Sequence, residues 1–492
     1  MDLKSTAVRL LQLFGFLPGF SAAALEQAAR ARVPTGQSED VADLRALLWC
    51  SIDNDDSRDL DQLTAVKASA TDDPTSDGKG AITVLVAIAD VDALVKCGTP
   101  LDDHAATNTT SLYTAAGIFP MLPERLSTDL TSLNAGVERL AVVVEMTVSD
   151  TGEIQASSVY RARVFNRAKL AYRSVAAWLD GVDPPPSALR AVPGLEEALR
   201  AQDRASAALR RTRQERGALS LETTQARLVF NGNQLSDVRD ERKNRAQQLI
   251  EDLMIAANGV TARFLVKQGF PALRRALRPP ERWDRIRALA QQSGDSLPAA
   301  PDGRALDAFL RRQREAAPER FADLSLAVVK LIGAGEYVLE LPGQPSEAHF
   351  GLAAPEYTHS TAPNRRFPDL VTQRLLKAAL AGSSAPYSPE KLRVIAAHCS
   401  DQERKATKLE RQINKSAAAL LLAGRVGEQF DAIVTGASAK GTWVRISKPA
   451  VEGKVVNGFE GLDVGDRLRV RLERVDSEQG FIDFSRSAPA PT

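Results

Sequence analysis

Five aspartates are crowded into one short stretch of the chain. Residues 51–63 read SIDNDDSRDLDQL, which places Asp53, Asp55, Asp56, Asp59 and Asp61 within nine positions. Like charges this close repel one another unless water or a cation lies between them. Residues two apart in an extended segment share a face, so Asp59 and Asp61 should converge, and Asp53 can reach the same place across the turn. Three converging carboxylates suit a hard divalent cation that also holds substrate phosphate. The stretch therefore predicts metal-assisted phosphoryl chemistry.

Two other interpretations of this stretch are a calcium loop and a solvated acidic loop. An EF-hand loop needs glycine at its sixth position and a bidentate glutamate at its twelfth, where this chain has Arg58 and Thr64. Its flanks would also be helices, whereas here they are strand-like. A solvated loop would explain the charge, but not why Asp59 and Asp61 stand two apart on the way into LTAV.

The bulk composition limits the class of protein. A chain of 492 residues suggests two to four domains. Its 63 basic and 62 acidic side chains give a net charge of +1, so a nucleic-acid surface would have to come from local patches. The three cysteines are too far apart for a disulfide framework or a zinc site. The apolar N-terminal run is interrupted by polar residues without a clean cleavage site, and no stretch is long enough for a membrane helix. We expect a cytoplasmic protein.

Three segments differ in pattern. Residues 1–45 have the apolar spacing of helices and predict a small helical module, either a helix-turn-helix or packing support. Residues 46–425 alternate strand-like runs such as ITVLVAIADV with long helical stretches, and 71–80, TDDPTSDGKG, read as an exposed hairpin loop. Residues 427–487 alternate apolar and polar side chains with glycines at the turns, which is typical of a small antiparallel barrel. The predicted fold class is α+β: a large mixed α/β domain, a helical N-terminal module and a C-terminal β-barrel.

The barrel segment has the composition of a nucleic-acid-binding surface. Between Thr435 and Val475 there are eight Lys or Arg against five Asp or Glu, and Trp443 stands among them. On an OB-fold, aromatic side chains stack on bases and cations follow the phosphates. The alternative is an ordinary barrel with a solvated charged face.

Further stretches, in order along the chain, resemble a known family. They are SIDNDDSRDLDQ, TSLYTAAGIFPMLPERLSTDLTSLNAGVERLAVVVEM at 110–146, NRAQQLIEDLMIAAN at 244–258 and HFGLAAPEYTHSTAPNRRFPDLVTQRLLKAAL at 349–380. Together they resemble the catalytic RNB domain of the ribonuclease II and ribonuclease R exoribonucleases. The resemblance covers roughly residues 46–425, and the tail resembles the family's S1-type OB-fold. It implies an RNB domain at 46–425 and an S1-type barrel at 427–487.

The resemblance implies a metal site. The family pattern has four aspartates, I-D-x5-D-x-D-D, and Asp53, Asp59 and Asp61 match the first three. The fourth is Gln62 here, which carries no charge but can still ligate a metal or orient a water. The change bears on the second metal position, and one of the two other aspartates could compensate. The implied cofactor is one or two Mg²⁺ ions, for which Mn²⁺ can substitute, and Asp61 is the position expected to be indispensable to the chemistry.

The resemblance also implies RNA-contacting residues. Arg365 matches the arginine of the family's S-P-x-R motif, and a fixed cation on the scissile phosphate is what phosphoryl transfer needs; a surface arginine in a loop is the alternative. Arg366 is expected on a helix surface or at a backbone contact. Tyr113 matches an aromatic that stacks on RNA. Tyr172 matches one that packs against the 3′-terminal nucleotide, with core packing as the alternative.

Two further positions are less sharply defined. Glu410 resembles a glutamate near the terminal sugar, where 2′-OH contacts distinguish RNA from DNA; a helix-surface glutamate paired with basic neighbours is the alternative. The family often places a phenylalanine near the GALSLE segment, where Leu219 and Leu221 stand here, so that clamp is expected to be weaker or absent.

The implied function is a 3′-to-5′ exoribonuclease that hydrolyses single-stranded RNA processively to nucleoside 5′-monophosphates. Its partner would be single-stranded RNA, and we expect a monomer with no membrane association and no organic cofactor. The two rival functions are a metal-dependent DNA exonuclease and a catalytically impaired RNA-binding regulator on an RNB fold. Gln62 is the one feature that favours the regulator.

Overall fold

A computed structural model describes residues 3–34, 40–67, 80–222, 225–231, 234–241, 243–318, 320–345, 347–438, 441–463 and 466–487. The hairpin loop expected at 71–80 lies outside these residues except for its last position. The helices are α1 Leu3–Leu13, α2 Ala22–Arg30, α3 Pro100–Asn108, α4 Tyr172–Leu179, α5 Ser187–Arg190, α6 Leu195–Glu215, α7 Arg245–Lys267, α8 Trp283–Gln292, α9 Gly303–Ala316, α10 Phe321–Ile332, α11 Phe367–Leu380 and α12 Pro389–Leu422.

The strands of the large domain are β1 Val41–Asp43, β2 Trp49–Asp53, β3 Gln62–Lys67, β4 Ile82–Ala89, β5 Leu112–Thr114, β6 Gly117–Phe119, β7 Glu138–Val148, β8 Ile154–Ala171, β9 Gln225–Asn231, β10 Gln234–Glu241, β11 Ala272–Ala276 and β12 Glu336–Glu340. Those of the barrel are β13 Gln429–Ser438, β14 Gly441–Ser447, β15 Ala450–Asn457, β16 Arg467–Asp476 and β17 Phe481–Arg486.

A six-stranded sheet in the order β1-β8-β2-β3-β4-β7 forms the centre of the large domain. Apart from Thr83, β4 is apolar, and its last six residues are all buried, as expected for a strand covered on both faces. β8 is 18 residues long. Its first part pairs antiparallel with β7 and its last part pairs parallel with β2. This register sets Asp53, the last residue of β2, opposite Ala171, the residue before α4.

Helix α7 packs against the sheet and against α4 and α6. It begins at a capping box, in which the Asn244 side chain accepts the Gln247 N–H and the Gln247 side chain accepts the Asn244 N–H. Its buried face is long because it lies between the sheet and other helices. This places Glu251, on the exposed side of α7, close to the start of α4.

The two N-terminal helices pack in different places. Helix α1 lies on α12, where Leu11 shares a buried cluster with Leu409 and Ile413. Helix α2 packs against α3, and Ala28 belongs to the main core. The following strand β1 pairs with β8. This arrangement favours packing support over a separate helix-turn-helix.

Strands β13-β14-β15-β17-β16 close into a five-stranded barrel. The end of α12 contributes Ala418, Ala419 and Leu422 to the barrel's buried cluster, so this one helix joins the two cores. The α+β fold class with a C-terminal barrel is therefore confirmed. Within the described residues, no helix combines the length and apolarity that crossing a bilayer would require.

Candidate active site

The buried Asp61 and the partly exposed Arg365 form an ion pair although 304 positions separate them in sequence. The Asp61 carboxylate is 2% exposed. Its Oδ1 accepts the backbone N–H of Asn364 at 2.8 Å, and its Oδ2 lies 3.2 Å from Nε of Arg365. Burial raises the pKa of Asp61 to about 7, and the nearby Arg365 charge opposes that rise. The loop before α11 therefore supplies both groups that hold this buried carboxylate.

The backbone around Arg365 is fixed by the segment that precedes β5. The Arg365 carbonyl accepts the Ser111 N–H at 3.0 Å, and Phe367 N–H donates to the Thr109 carbonyl at 2.8 Å. The loop before α11 is thus tied to the strand that carries Tyr113. Arg366 was expected on a helix surface or at a backbone contact, and the structure shows a different position. It is largely buried and its Nη2 donates to Asp369 at 2.7 Å, so it supports the start of α11 from within.

Tyr113 is joined to the acidic stretch. It lies on the β5–β6 hairpin, is 41% exposed, and its hydroxyl donates to Oδ2 of Asp59 at 2.6 Å. Burial of the hydroxyl end raises the pKa of Tyr113 above its ordinary range, which keeps the donor protonated. One face of the ring remains open beside the carboxylates.

Glu410 holds the hairpin from helix α12. Its Oε1 accepts the backbone N–H of Tyr113 at 3.1 Å. One turn further along the helix, Asn414 accepts the backbone N–H of Ala115 at 3.2 Å. Burial raises the pKa of Glu410. Glu410 is therefore not a surface residue paired with its basic neighbours, but one of two side chains that position Tyr113.

Tyr172 stands beside Asp53 at the start of α4. Oδ1 of Asp53 accepts the Asn54 N–H at 2.7 Å and the Ser57 hydroxyl at 3.0 Å. Burial raises the pKa of Asp53 and also that of Tyr172, to which the negative charges of Asp53 and Glu251 add. Tyr172 is thus near both the acidic stretch and Glu251.

A cavity of about 690 Å³ is lined by Glu251, the residue whose charge acts on this tyrosine. Leu219 and Leu221 line it, together with the cationic Arg210 and Arg314 and with His349. The cavity is therefore bounded by the segment where the family resemblance implies a phenylalanine clamp, which was expected to be weaker or absent here because leucines occupy it.

Trp443 is far along the chain from these groups, on β14. Its neighbours Thr442 and Val444 are buried while Trp443 is only partly so, because alternate residues of a strand face opposite sides. Its cross-strand partner is Lys454. An aromatic ring and a cation therefore share the outer face of the barrel.

Comparison with known proteins identifies the family to which this fold belongs. A family model described as the RNB domain matches residues 41–382, and one described as the RNase II-type exonuclease C-terminal S1 domain matches residues 428–487. The chain belongs to the RNB family.

Curated relatives of this RNB chain include two bacterial proteins. Ribonuclease R of Escherichia coli (strain K12) is 31% identical over 92% of this chain and 58% of its own length. Ribonuclease R of Aquifex aeolicus (strain VF5) is 28% identical over 92% of this chain and 66% of its own length. The chain therefore spans 58% of the first of these relatives.

Solved structures with the same fold include an RNase R and a pseudonuclease. Mycoplasma genitalium RNase R in complex with ribose methylated single-stranded RNA superposes with a TM-score of 0.86 at 21% identity, over 99% of this chain and 78% of that one. Yeast Ssd1, a pseudonuclease, gives a TM-score of 0.72 at 16% identity, over 92% and 56%. The RNB fold is thus shared by proteins of both kinds.

The acidic residues of this RNB site fit a hard cation by chemistry. All three candidate carboxylates offer oxygen ligands. Burial raises the pKa of Asp53 and Asp61, which means that the surrounding protein does not fully offset the cost of burying their negative charges. Within the part of the chain that the structure describes, however, no three acidic, histidine or cysteine side chains form a group that could hold a metal. Asp61 faces Arg365 and Asp59 faces Tyr113 instead. The expected convergence of the three carboxylates is therefore not seen in this conformation.

The other members of the acidic stretch are less buried. Gln62 is half-buried as the first residue of β3 and pairs through its backbone with Ile88. Asp55 and Asp56 are exposed. Neither exposed aspartate is in the interior where Asp61 lies, which weighs against compensation for Gln62 from these two positions.

Sequence reasoning missed two asparagines. The fully buried Asn364 accepts the Thr131 hydroxyl through its Oδ1, and its backbone holds Asp61. Asn414 holds the hairpin. A signal was present for the first, because a polar residue between Pro363 and Arg365 needs a buried partner. None was present for the second, which looks like any helix-surface amide.

Proposed function

We propose that this RNB chain is a 3′-to-5′ exoribonuclease that hydrolyses single-stranded RNA processively to nucleoside 5′-monophosphates. The observation that carries the proposal is the ion pair between the buried Asp61 and the partly exposed Arg365, which brings an acid and a fixed cation together beside two tyrosines. Family membership supports it, as do relatives named Ribonuclease R and the RNA complex of the Mycoplasma genitalium RNase R. The reaction adds water across the bond between phosphorus and the 3′ oxygen, leaving phosphate on the released nucleotide and a 3′-hydroxyl on the shortened RNA.

Arg365 is the residue we assign to the scissile phosphate. Its Nε is turned to Asp61, which orients the planar guanidinium and leaves its terminal nitrogens for phosphate oxygens. A cation held in this way stabilises the charge that develops on the phosphate as the bond breaks. Asp61 therefore has two roles in the proposal, as a carboxylate of the reaction centre and as the anchor of Arg365.

The two tyrosines are assigned to the RNA strand. The partly exposed ring of Tyr113 would stack on a base of the incoming strand, while its hydroxyl stays on Asp59. Tyr172, near both Asp53 and Glu251, would pack against the 3′-terminal nucleotide, whose base would enter the 690 Å³ cavity. Glu410 acts through the hairpin in this scheme, in place of the sugar contact that the resemblance implied.

We propose Mg²⁺ as the cofactor, held by Asp53, Asp59 and Asp61, with Gln62 as a neutral fourth ligand; Mn²⁺ would substitute. Such an ion supplies an activated water and neutralises phosphate charge. The protein's own part is to hold Arg365 against Asp61 and to exclude bulk water from the buried Asp61.

The barrel would bind the strand before it reaches the catalytic domain. Trp443 with Lys454 on its outer face offers stacking and phosphate attraction. A monomeric, cytoplasmic enzyme without an organic cofactor remains our prediction. The rival function as an RNA-binding regulator is favoured by the single departure at Gln62, and a DNA exonuclease is disfavoured by the RNA-type barrel.

The deciding experiment is incubation of a 5′-labelled single-stranded RNA with the protein and Mg²⁺, with the products resolved by length. We expect progressive shortening from the 3′ end, release of 5′-monophosphates, and arrest by a chelator. A matched DNA oligomer should remain intact. Early internal cuts would contradict an exonuclease, and binding without cleavage would favour the regulator.

A further inference from the structure

A second cavity lies next to the 690 Å³ cavity that Glu251 lines, and we call the two the outer and the inner cavity. Its volume is about 300 Å³, at the lower end of the range for small-molecule sites. Arg216 and Arg263 line it opposite Glu153 and Glu356. The side chains of Arg216 and Glu153 are about half exposed, so this outer cavity opens to solvent.

The inner and outer cavities share a wall. Arg213, Asp252 and Leu352 line both of them. Asp252 is buried. It accepts a hydrogen bond from Nε of Arg210 at 2.8 Å and is also paired with Arg213. Side chains of α6 and α7 therefore form part of the wall between the two spaces.

The wall also presents a hydrogen-bond donor that lacks an acceptor. Nε of Arg213 is buried and has no hydrogen-bond partner among the described residues. A buried N–H without an acceptor is unfavourable unless a ligand or water satisfies it. With Arg216 and Arg263 beyond it, the wall and the outer cavity present three cations to anything that passes.

Processive cleavage creates a need for such a passage. In the proposed function, on which this inference rests, the shortened RNA still occupies the Tyr113 side of the site after each cut. The released nucleotide carries a phosphate dianion and lies on the Tyr172 and Glu251 side. It cannot leave by the route that the strand occupies.

We propose that the outer cavity is an exit site for the nucleoside 5′-monophosphate product, reached from the inner cavity past Arg213. Arg213 takes the phosphate from the inner side, and Arg216 and Arg263 draw it to the surface. Glu153 and Glu356 keep the binding weak, because they already pair with or lie near the outer cations. Weak binding is what an exit site requires.

The test reverses the outer charges while leaving the reaction centre untouched. The double variant Arg216→Glu with Arg263→Glu is compared with the unmodified protein and with Arg190→Glu plus Arg204→Glu, two exposed arginines that line neither cavity. With a short oligoadenylate RNA, three quantities are measured: the single-turnover rate of the first cleavage, the steady-state rate of nucleotide release, and inhibition by added adenosine 5′-monophosphate.

We expect the first cleavage in the outer-cavity variant to stay within about twofold of the unmodified protein, because the reversed charges are exposed and distant from the reaction. Release should slow, and the inhibitory concentration of the monophosphate should rise, each by about five- to tenfold. The control pair should change neither. Unchanged release and unchanged inhibition in the outer-cavity variant would overturn the exit site.

A second variant fills the space without changing charge. Ala354 lines only the outer cavity, so Ala354→Trp should slow steady-state release while the first cleavage proceeds. An unmodified protein that cleaves no RNA would instead refute the proposed function, and that outcome is distinct from an unmodified protein that cleaves normally and releases product equally fast in every variant.

Discussion

The proposed active site, called the centre below, and the C-terminal barrel use the same charged residue types in opposite ways. At the centre, Asp61 is buried against Arg365, and Asp369 is buried against Arg366. On the barrel, pairs such as Arg471–Glu473 and Arg469–Asp431 are well exposed. Burial raises the pKa of Asp61, whereas hydrogen bonds from Arg471 lower the pKa of Glu473. The charged form of the carboxylate is therefore disfavoured by burial in the pair at the centre and favoured in the pair on the barrel.

This difference indicates what each region is for. Taking a carboxylate out of water is unfavourable, and an ion pair repays that cost only with good geometry. A protein retains such a pair where the chemistry needs it, and strongly shifted pKa values cluster at functional sites. Exposed pairs contribute little to stability and are screened by salt, but they leave cations available for a phosphate backbone. We therefore expect substitutions at the centre to change the rate, and substitutions on the barrel to change affinity and its salt dependence.

The largest effect should come from Asp61→Asn. An amide keeps the shape and can still accept the Asn364 N–H, but it removes the charge that faces Arg365 and the proposed metal. We expect single-turnover cleavage to fall by at least about 100-fold, while RNA binding measured without Mg²⁺ stays within about threefold because the barrel and Tyr113 are unchanged. Asp56→Asn, in the exposed part of the same stretch, is the matched control. Near-full activity of Asp61→Asn would mean that the reaction centre lies elsewhere.

On the barrel side, Trp443→Ala should weaken RNA binding by about tenfold, the loss expected for one stacked base. The cleavage rate at saturating RNA should not change. Phe481, an exposed aromatic of β17 whose cross-strand partner is Asp476, provides the control as Phe481→Ala. Lys454→Gln should flatten the dependence of binding on salt by about one phosphate contact. Equal losses of RNA affinity in Trp443→Ala and Phe481→Ala would indicate that the substitutions damage the barrel and that Trp443 is not a specific stacking site.

The sequence predicted which residue types carry the chemistry of the centre better than it predicted the contacts that hold those residues in place. The arginine of TAPNRRF does pair with Asp61. The convergence of Asp53, Asp59 and Asp61 that their spacing predicted is not seen among the described residues. The barrel was readable because strand alternation is a local signal. The burial of Arg366 and the split packing of α1 and α2 were not readable, because they depend on which loops and helices meet in three dimensions.

Glu410 shows how such a tertiary contact can change a residue's interpretation. The resemblance implied a sugar contact, and the structure gives a hydrogen bond to the Tyr113 backbone. Glu410→Gln keeps an acceptor oxygen, whereas Glu410→Leu removes it and leaves that N–H unpaired. If Glu410 acts through the hairpin, the Leu variant should bind RNA about fivefold more weakly, the loss of one hydrogen bond, and the Gln variant should resemble the unmodified protein. Asn414→Leu should reproduce the loss. If Glu410→Gln instead changes the preference for RNA over DNA in binding, that result would support a contact between Glu410 and the sugar.

The smallest effect, and the sharpest test of the buried centre, is expected from Gln62→Asp. Position 62 carries a neutral amide where the family pattern has a carboxylate, so the site has one negative charge fewer for divalent metal. Mg²⁺ dehydrates reluctantly and depends on carboxylate charge, and an added aspartate should lower the Mg²⁺ concentration for half-maximal cleavage by about threefold. Repulsion from neighbouring aspartates opposes this gain, but with metal present each carboxylate faces a divalent ion and the attraction should prevail. The measurement is a Mg²⁺ titration of single-turnover cleavage, with Gln62→Glu testing the reach of the side chain and RNA binding without metal as the control. A half-maximal concentration that is unchanged or higher in Gln62→Asp would mean that position 62 does not face the metal, and that one of the exposed aspartates of the same stretch moves in to complete the site.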